Sequence, residues 1–125
     1  IMGMVKYSGL MTLLTESMLS WANAENFGVI TLLSAGFVNL FVPSGGGQWA
    51  VQGPLVIDAA LQLGVPLPKA VMALAYGDQL TNMLQPFWAL PLLAITGAKA
   101  GEIFRYTALL CLAGLLIFAA VLWWM

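Results

Sequence analysis

The chain has no histidine, a single cysteine and very few charges. Its 125 residues carry four basic and five acidic side chains, 7% in all, where a soluble domain carries about 25%. So few charges cannot clothe a water-exposed surface. With Cys111 alone, neither a disulfide within the chain nor a Cys/His zinc cluster can form. Cys111 sits in an apolar run and suits plain helix packing. The net charge of -1 provides no basic field for nucleic acid. There is no nucleophile elbow, and no two carboxylates share a helix face. Glu16, Asp58 and Asp78 are too scattered for acid–base catalysis, so the chain does not read as an enzyme.

What is present is apolar. Hydrophobic residues make up 62% of the chain, and the mean hydropathy is +0.95. That composition predicts an all-α integral membrane protein. The sequence opens on Ile1 directly in helix-like sequence, without the charged start of a signal peptide. It closes on Val121-Leu122-Trp123-Trp124-Met125, whose aromatics suit a membrane interface. It is expected to be the C-terminal part of a larger membrane protein.

The charges divide the chain into segments. Residues 4–24 form the first helix, opened by Lys6, with Ser8, Thr12, Thr15, Glu16 and Ser20 on one polar stripe. The stripe suits a membrane helix facing other helices; a helix lying on the membrane surface is the alternative. Residues 26–57 carry no charge at all. They are too many for one span, which needs about 20 residues, and too few for two. Pro43 and the glycines at 45–47 fall in their middle. The economical solution is a re-entrant hairpin over 27–63 with its tip at 43–48. After a surface turn around Pro66, Pro68 and Lys69, residues 69–97 predict a discontinuous helix with its break at 77–86, between Gly77 and Pro86. Residues 106–125 form the final span. Lys99 and Arg105 mark the cytoplasmic loop, which places the C-terminus on the outer side; Lys6 agrees and Lys69 dissents.

The two interruptions are the candidate site, because irregular backbone at membrane depth survives only where protein or water surrounds it. At the tip, a helix beginning after the glycines would present unpaired N–H groups and a positive dipole end. Ser44, Gly45, Gly46, Gly47 and Gln48 are therefore the candidate anion-binding residues. A plain tight turn is the alternative, and the stretch lacks the Lys-Ser/Thr ending of a P-loop. At the second break, Asp78, Thr81, Asn82 and Gln85 offer oxygen ligands. Asp78 and Asn82 suit Na⁺, and Asp78 alone can carry a proton. Asp78 can equally cap the second half-helix. Trp49, Phe87 and Trp88 are candidates to wall a small acyl pocket.

The runs NLFVPSGGGQWAVQGP at 39–54 and AYGDQLTNMLQPFWALP at 75–91 resemble the bacterial short-chain fatty acid transporter family. The resemblance extends from about Asn26 to the end of the chain. It implies uptake of short-chain carboxylates such as acetoacetate or butyrate across the bacterial inner membrane by a multi-pass protein, with no cofactor beyond a coupling H⁺ or Na⁺. It also implies kinship with the dicarboxylate/sodium symporters, built from two inverted repeats, of which this chain is similar to the second. Those symporters carry Ser-Asn-Thr at the hairpin tip, and of that signature only Ser44 is shared in kind. The expected partners are the carboxylate substrate, the bilayer, the missing N-terminal half and a possible second copy in a homo-oligomer. A cation/proton antiporter of the same architecture and a non-transporting membrane subunit are the alternatives.

Overall fold

The computed structural model describes residues 7–85 and 89–125. Every regular element among the described residues is a helix: α1 (Leu10–Leu19), α2 (Phe27–Asn39), α3 (Gly45–Leu63), α4 (Leu67–Asn82), α5 (Leu90–Thr96) and α6 (Ala100–Trp124). The all-α reading holds. With 25 residues, α6 is long and apolar enough to cross a membrane, and α2 is a shorter apolar helix. Lys6, Pro86, Phe87 and Trp88 lie outside the described residues, and with them the start of the first segment and the end of the expected break.

Helices α2 and α3 form an antiparallel pair. Phe27, at the start of α2, shares a core cluster with Val56 and Ala60 near the end of α3. At the other end, Gln48 donates to the Ala35 carbonyl at 2.8 Å, and Gln52 donates to Ser34 Oγ at 2.9 Å. Both glutamines and Ser34 are fully buried, and both amide nitrogens find partners inside the pair, while Gln48 Oε1 has none.

The glycines depart from expectation. The chain turns at 40–44, and Gly45, Gly46 and Gly47 make the first turn of α3 instead of the loop. The expected tip at 43–48 is corrected to this shorter turn. The reason is local. First-turn N–H groups have no intrahelical acceptors anyway, and Ser44 caps the helix with an extended backbone (φ -156, ψ 108). Its Oγ accepts the Gly47 N–H at 3.3 Å. Pro54 lies inside α3 without ending it.

The break in α4 also differs. The helix runs through Gly77 and Asp78 to Asn82, so the interruption begins at Met83 instead of Gly77. Asp78 is thus mid-helix and caps nothing. Gly77 serves packing: α4 runs parallel to α2 and touches it backbone to backbone. A Cβ on Gly77 would collide with the Leu32 carbonyl oxygen, and would meet Ala35 Cβ at 2.6 Å and Gly36 N at 2.9 Å. Gly28 lies beside Lys69 and Gly36 beside Thr81, which sets the parallel register. Lys69, expected on the surface, is buried in the first turn of α4 with 6% exposure.

The last helix starts earlier than the expected 106, at Ala100. Glu102 in its first turn favours that start, because a carboxylate suits the positive helix end. Tyr76 of α4 stacks on Phe118 at 4.2 Å, and Leu122 is buried against Leu32 and Ala73. The rest of the α6 surface is open, with Leu112, Leu116 and Ile117 more than half exposed. The first helix ends at Leu19 instead of 24; within its polar stripe Thr15 is fully buried and Glu16 is exposed.

Gly77→Ala should destabilise the fold by roughly 1–3 kcal/mol, the usual cost of overpacking. Gly101→Ala, with nothing within 4 Å of its Cβ, should not. Denaturant unfolding of the full-length protein in micelles compares the two.

Candidate functional site

Three helix ends converge: the C-termini of α2 and α4 and the N-terminus of α3. The convergence follows from the register just described. The parallel α2–α4 contact puts Asn39, the last residue of α2, against Asp78, Thr81 and Asn82 of α4. The antiparallel α2–α3 pair brings Gly45 back to the same level.

Asn39 is the hub. Its side chain is fully buried. Its Nδ2 donates to the Asp78 carbonyl at 3.1 Å, to Thr81 Oγ1 at 2.8 Å and to Asn82 Oδ1 at 2.9 Å. Asn82 in turn donates through Nδ2 to Asp78 Oδ2 at 3.1 Å. Thr81 returns its hydroxyl to the Gly77 carbonyl at 3.3 Å, and Gln85 Nε2 reaches the Asn39 carbonyl at 3.4 Å. Two buried acceptors have no donor, Asn39 Oδ1 and Asp78 Oδ1. Buried polar atoms normally find partners, so this cluster has room for one more positive or donating group.

The first turn of α3 closes the site. A Cβ built on Gly45 would lie 3.5 Å from Asp78 Oδ2. Ser44 Oγ takes the Gly47 N–H, and Gln48 N–H bonds the Ser44 carbonyl at 2.7 Å. The N–H groups of Gly45 and Gly46 meet no acceptor among the described residues. Both residues are exposed. They are the free donors of the site.

The predicted residues therefore divide. Asp78, Thr81, Asn82 and Gln85 come together, with Gly45 beside them. Gln48 points elsewhere: it is fully buried, and its amide nitrogen is spent on Ala35 and on Gln52 Oε1 at 2.9 Å. Trp49 is 40% exposed and lies over Gly53, away from the cluster. Glu16 and Asp58, expected to be scattered, line one cleft of about 290 Å³ between α1 and α3. Asp58 also accepts from Gln62 Nε2 at 2.9 Å.

A second cleft of about 470 Å³ adjoins the cluster, lined by Gln79, Asn82, Gln85 and Thr107 among others. Its position fixes the level of the site along α6. Leu80 reaches Gly114, where a Cβ would lie 2.9 Å from it, and Asn82 faces the cleft with Thr107 and Leu110. Those positions straddle the middle of a helix about 37 Å long, taking 1.5 Å per residue. The polar cluster thus lies alongside the longest apolar helix, with Leu80 near its middle and Asn82 and Gln85 beside its N-terminal half.

The model of the family described as "Short chain fatty acid transporter" matches residues 1–125. The chain belongs to that family. A relative in Escherichia coli (strain K12) is 53% identical over 109 residues, which is 86% of this chain and 25% of the relative. Another in Haemophilus influenzae is 49% identical over 116 residues, 91% of this chain and 26% of the relative. Both are provisionally named short-chain fatty acid transporters. The chain spans about a quarter of the length of these relatives. No solved structure matches it. Membership in a transporter family makes this a membrane protein, in keeping with α6.

Sequence reading passed over Asn39 as a site residue. The available signal was an amide at the end of a helix without charged residues.

Asn39→Leu should leave the Asp78–Asn82 cluster without its shared donor. The expected cost is about 1–2 kcal/mol, given the modest net worth of hydrogen bonds in membranes. Thermal unfolding of the full-length family member in micelles measures it.

Proposed function

We propose that the protein containing this chain takes up short-chain carboxylates, such as butyrate or acetoacetate, across the bacterial inner membrane. The observation that carries the reading is the pair of free N–H groups at Gly45 and Gly46, beside a half-buried polar cluster centred on the buried Asn39. The substrate carboxylate accepts from those two groups, with Ser44 fixing the helix end that presents them. The N-terminal end of a helix favours an anion without any Lys or Arg. Asp78, Thr81 and Asn82 serve the coupled ion, and Gln85 ties the cluster to the end of α2.

In this reading α2 and α3 are the arms of a re-entrant hairpin. Leu40 of their shared turn lies near Leu115 of α6, while Gly28 sits beside Lys69 and the C-terminal Leu122, which supports both arms opening to one side. The discontinuous helix is α4 with α5. The rest of the transporter supplies a matching repeat of inverted topology, in the manner of the dicarboxylate/sodium symporters. The C-terminus then lies in the periplasm. Transport follows from movement of the hairpin unit against a scaffold.

Labelled butyrate and acetoacetate accumulation in vesicles holding the full-length protein tests the function. Ser44→Ala, which loosens the helix end, should weaken apparent affinity about fivefold, the equivalent of a lost cap. Na⁺/H⁺ exchange without any carboxylate would favour an antiporter instead. Unchanged uptake in the variant would return residues 43–48 to a packing role.

A further inference from the structure

The coupled ion can be argued further, on the footing of the transport reading above. Two carboxyl groups have a claim on the N-terminal end of α3. One is the substrate's. The other is Asp78, whose Oδ2 and Oδ1 lie 3.5 and 3.9 Å from the Cβ position of Gly45. When ionised, Asp78 itself compensates the positive end of α3. A second carboxylate arriving there meets a like charge at close range, and the two repel.

We propose that Asp78 is the proton carrier of this transporter: ionised Asp78 and the substrate carboxylate exclude each other at the first turn of α3, so one anion binds only with one proton.

The cluster supports a proton over a metal cation. Its centre is a donor, the Asn39 amide nitrogen, directed at three oxygens. The Asp78 backbone carbonyl fixes that orientation, because only the NH₂ side of Asn39 can meet it. A cation in the same place would face N–H groups. The oxygens left over are Asn39 Oδ1 and Asp78 Oδ1, whereas hard cations such as Ca²⁺ or Mg²⁺ gather about six. A proton on Asp78 converts one orphaned acceptor into a donor, and the fully buried Asn39 Oδ1 supplies an acceptor in the same cluster.

No other charge facing Asp78 competes for that proton among the described residues. Helix α2 has no titratable side chain, nor has α5. On α3 the one titratable group, Asp58, lies in the cleft with Glu16 of α1. On α4 itself, Tyr76 is stacked on Phe118, and Lys69 packs beside Gly28 at the opposite end. On α6, Glu102, Arg105 and Tyr106 are exposed, and Cys111 packs with Leu80 in an apolar cluster.

The cycle balances. One proton and one carboxylate bind from outside, Asp78 holding the proton and the Gly45 and Gly46 N–H groups the anion. Both leave on the inside, and Asp78 returns to its ionised place at the helix end.

The test is equilibrium binding of labelled butyrate to the reconstituted full-length transporter between about pH 6 and pH 8, where butyrate itself stays ionised. Wild-type affinity should fall as Asp78 ionises, by up to about tenfold per pH unit, with one proton taken up per butyrate bound. Asp78→Asn, permanently uncharged, should give a binding curve that does not move with pH. The wild-type profile and the proton count hold the test independent of how well the variant folds. Binding that requires Na⁺, or wild-type binding flat with pH, would overturn the proton assignment and leave carboxylate transport standing. No butyrate binding at any pH would overturn both.

Discussion

The backbone contact between α2 and α4 is the constraint on which the site depends. Two glycines, Gly36 and Gly77, let the helices approach until a single added Cβ would strike the Leu32 carbonyl oxygen. Small residues are what permit such approaches where lipid offers no hydrophobic drive between helices. The approach places Asn39 within hydrogen-bonding reach of three oxygens on α4 at once. Spread the helices by a methyl group, and the amide loses its acceptors together. The first turn of α3 then loses the ordered carboxyl beside Gly45. Packing and chemistry here are one interaction viewed from two sides.

Much of this was legible in the sequence because a bilayer restricts the options. A charge-free run of 32 residues with an interruption in its middle leaves few arrangements. The grouping of Asp78, Thr81, Asn82 and Gln85 followed from their nearness in sequence. What escaped was the difference between an interruption and a helix start. Glycines at 45–47 read as a break because glycine is a poor helix interior residue, yet in a first turn that cost is small and Ser44 offsets it. Gly77 misled for a related reason: its role is a neighbour's backbone, which no local pattern reveals. Gln48 read as a site residue from its place beside the glycines. The packing of α2 on α3 turns it inward toward Ala35, and only the tertiary register decides that. Asn39 escaped because its partners lie some forty residues further along.

The site has a division of labour. Side chains of α2 and α4 make a closed network that holds one carboxyl in place. The backbone of α3 offers two N–H groups to the open side. In the proposed function such a pairing suits a small anionic ligand with little else to recognise, whose carboxylate would meet backbone.

Pro54 gives α3 an uneven stiffness. Lacking an N–H, it leaves the Ala50 carbonyl without its helical partner, and its ring presses on the preceding turn. One rung is missing less than three turns from Ser44. Beyond it, Val56 and Ala60 are locked in the core with Phe27; before it, the glycine turn carries no side chains, and the buried Gln48 and Gln52 tie the helix to Ala35 and Ser34 of α2. A rod weakened at one point bends there first. The two glutamine bonds to α2 therefore carry the rigidity that Pro54 removes, and they hold Gly45 beside Asp78 across the missing rung.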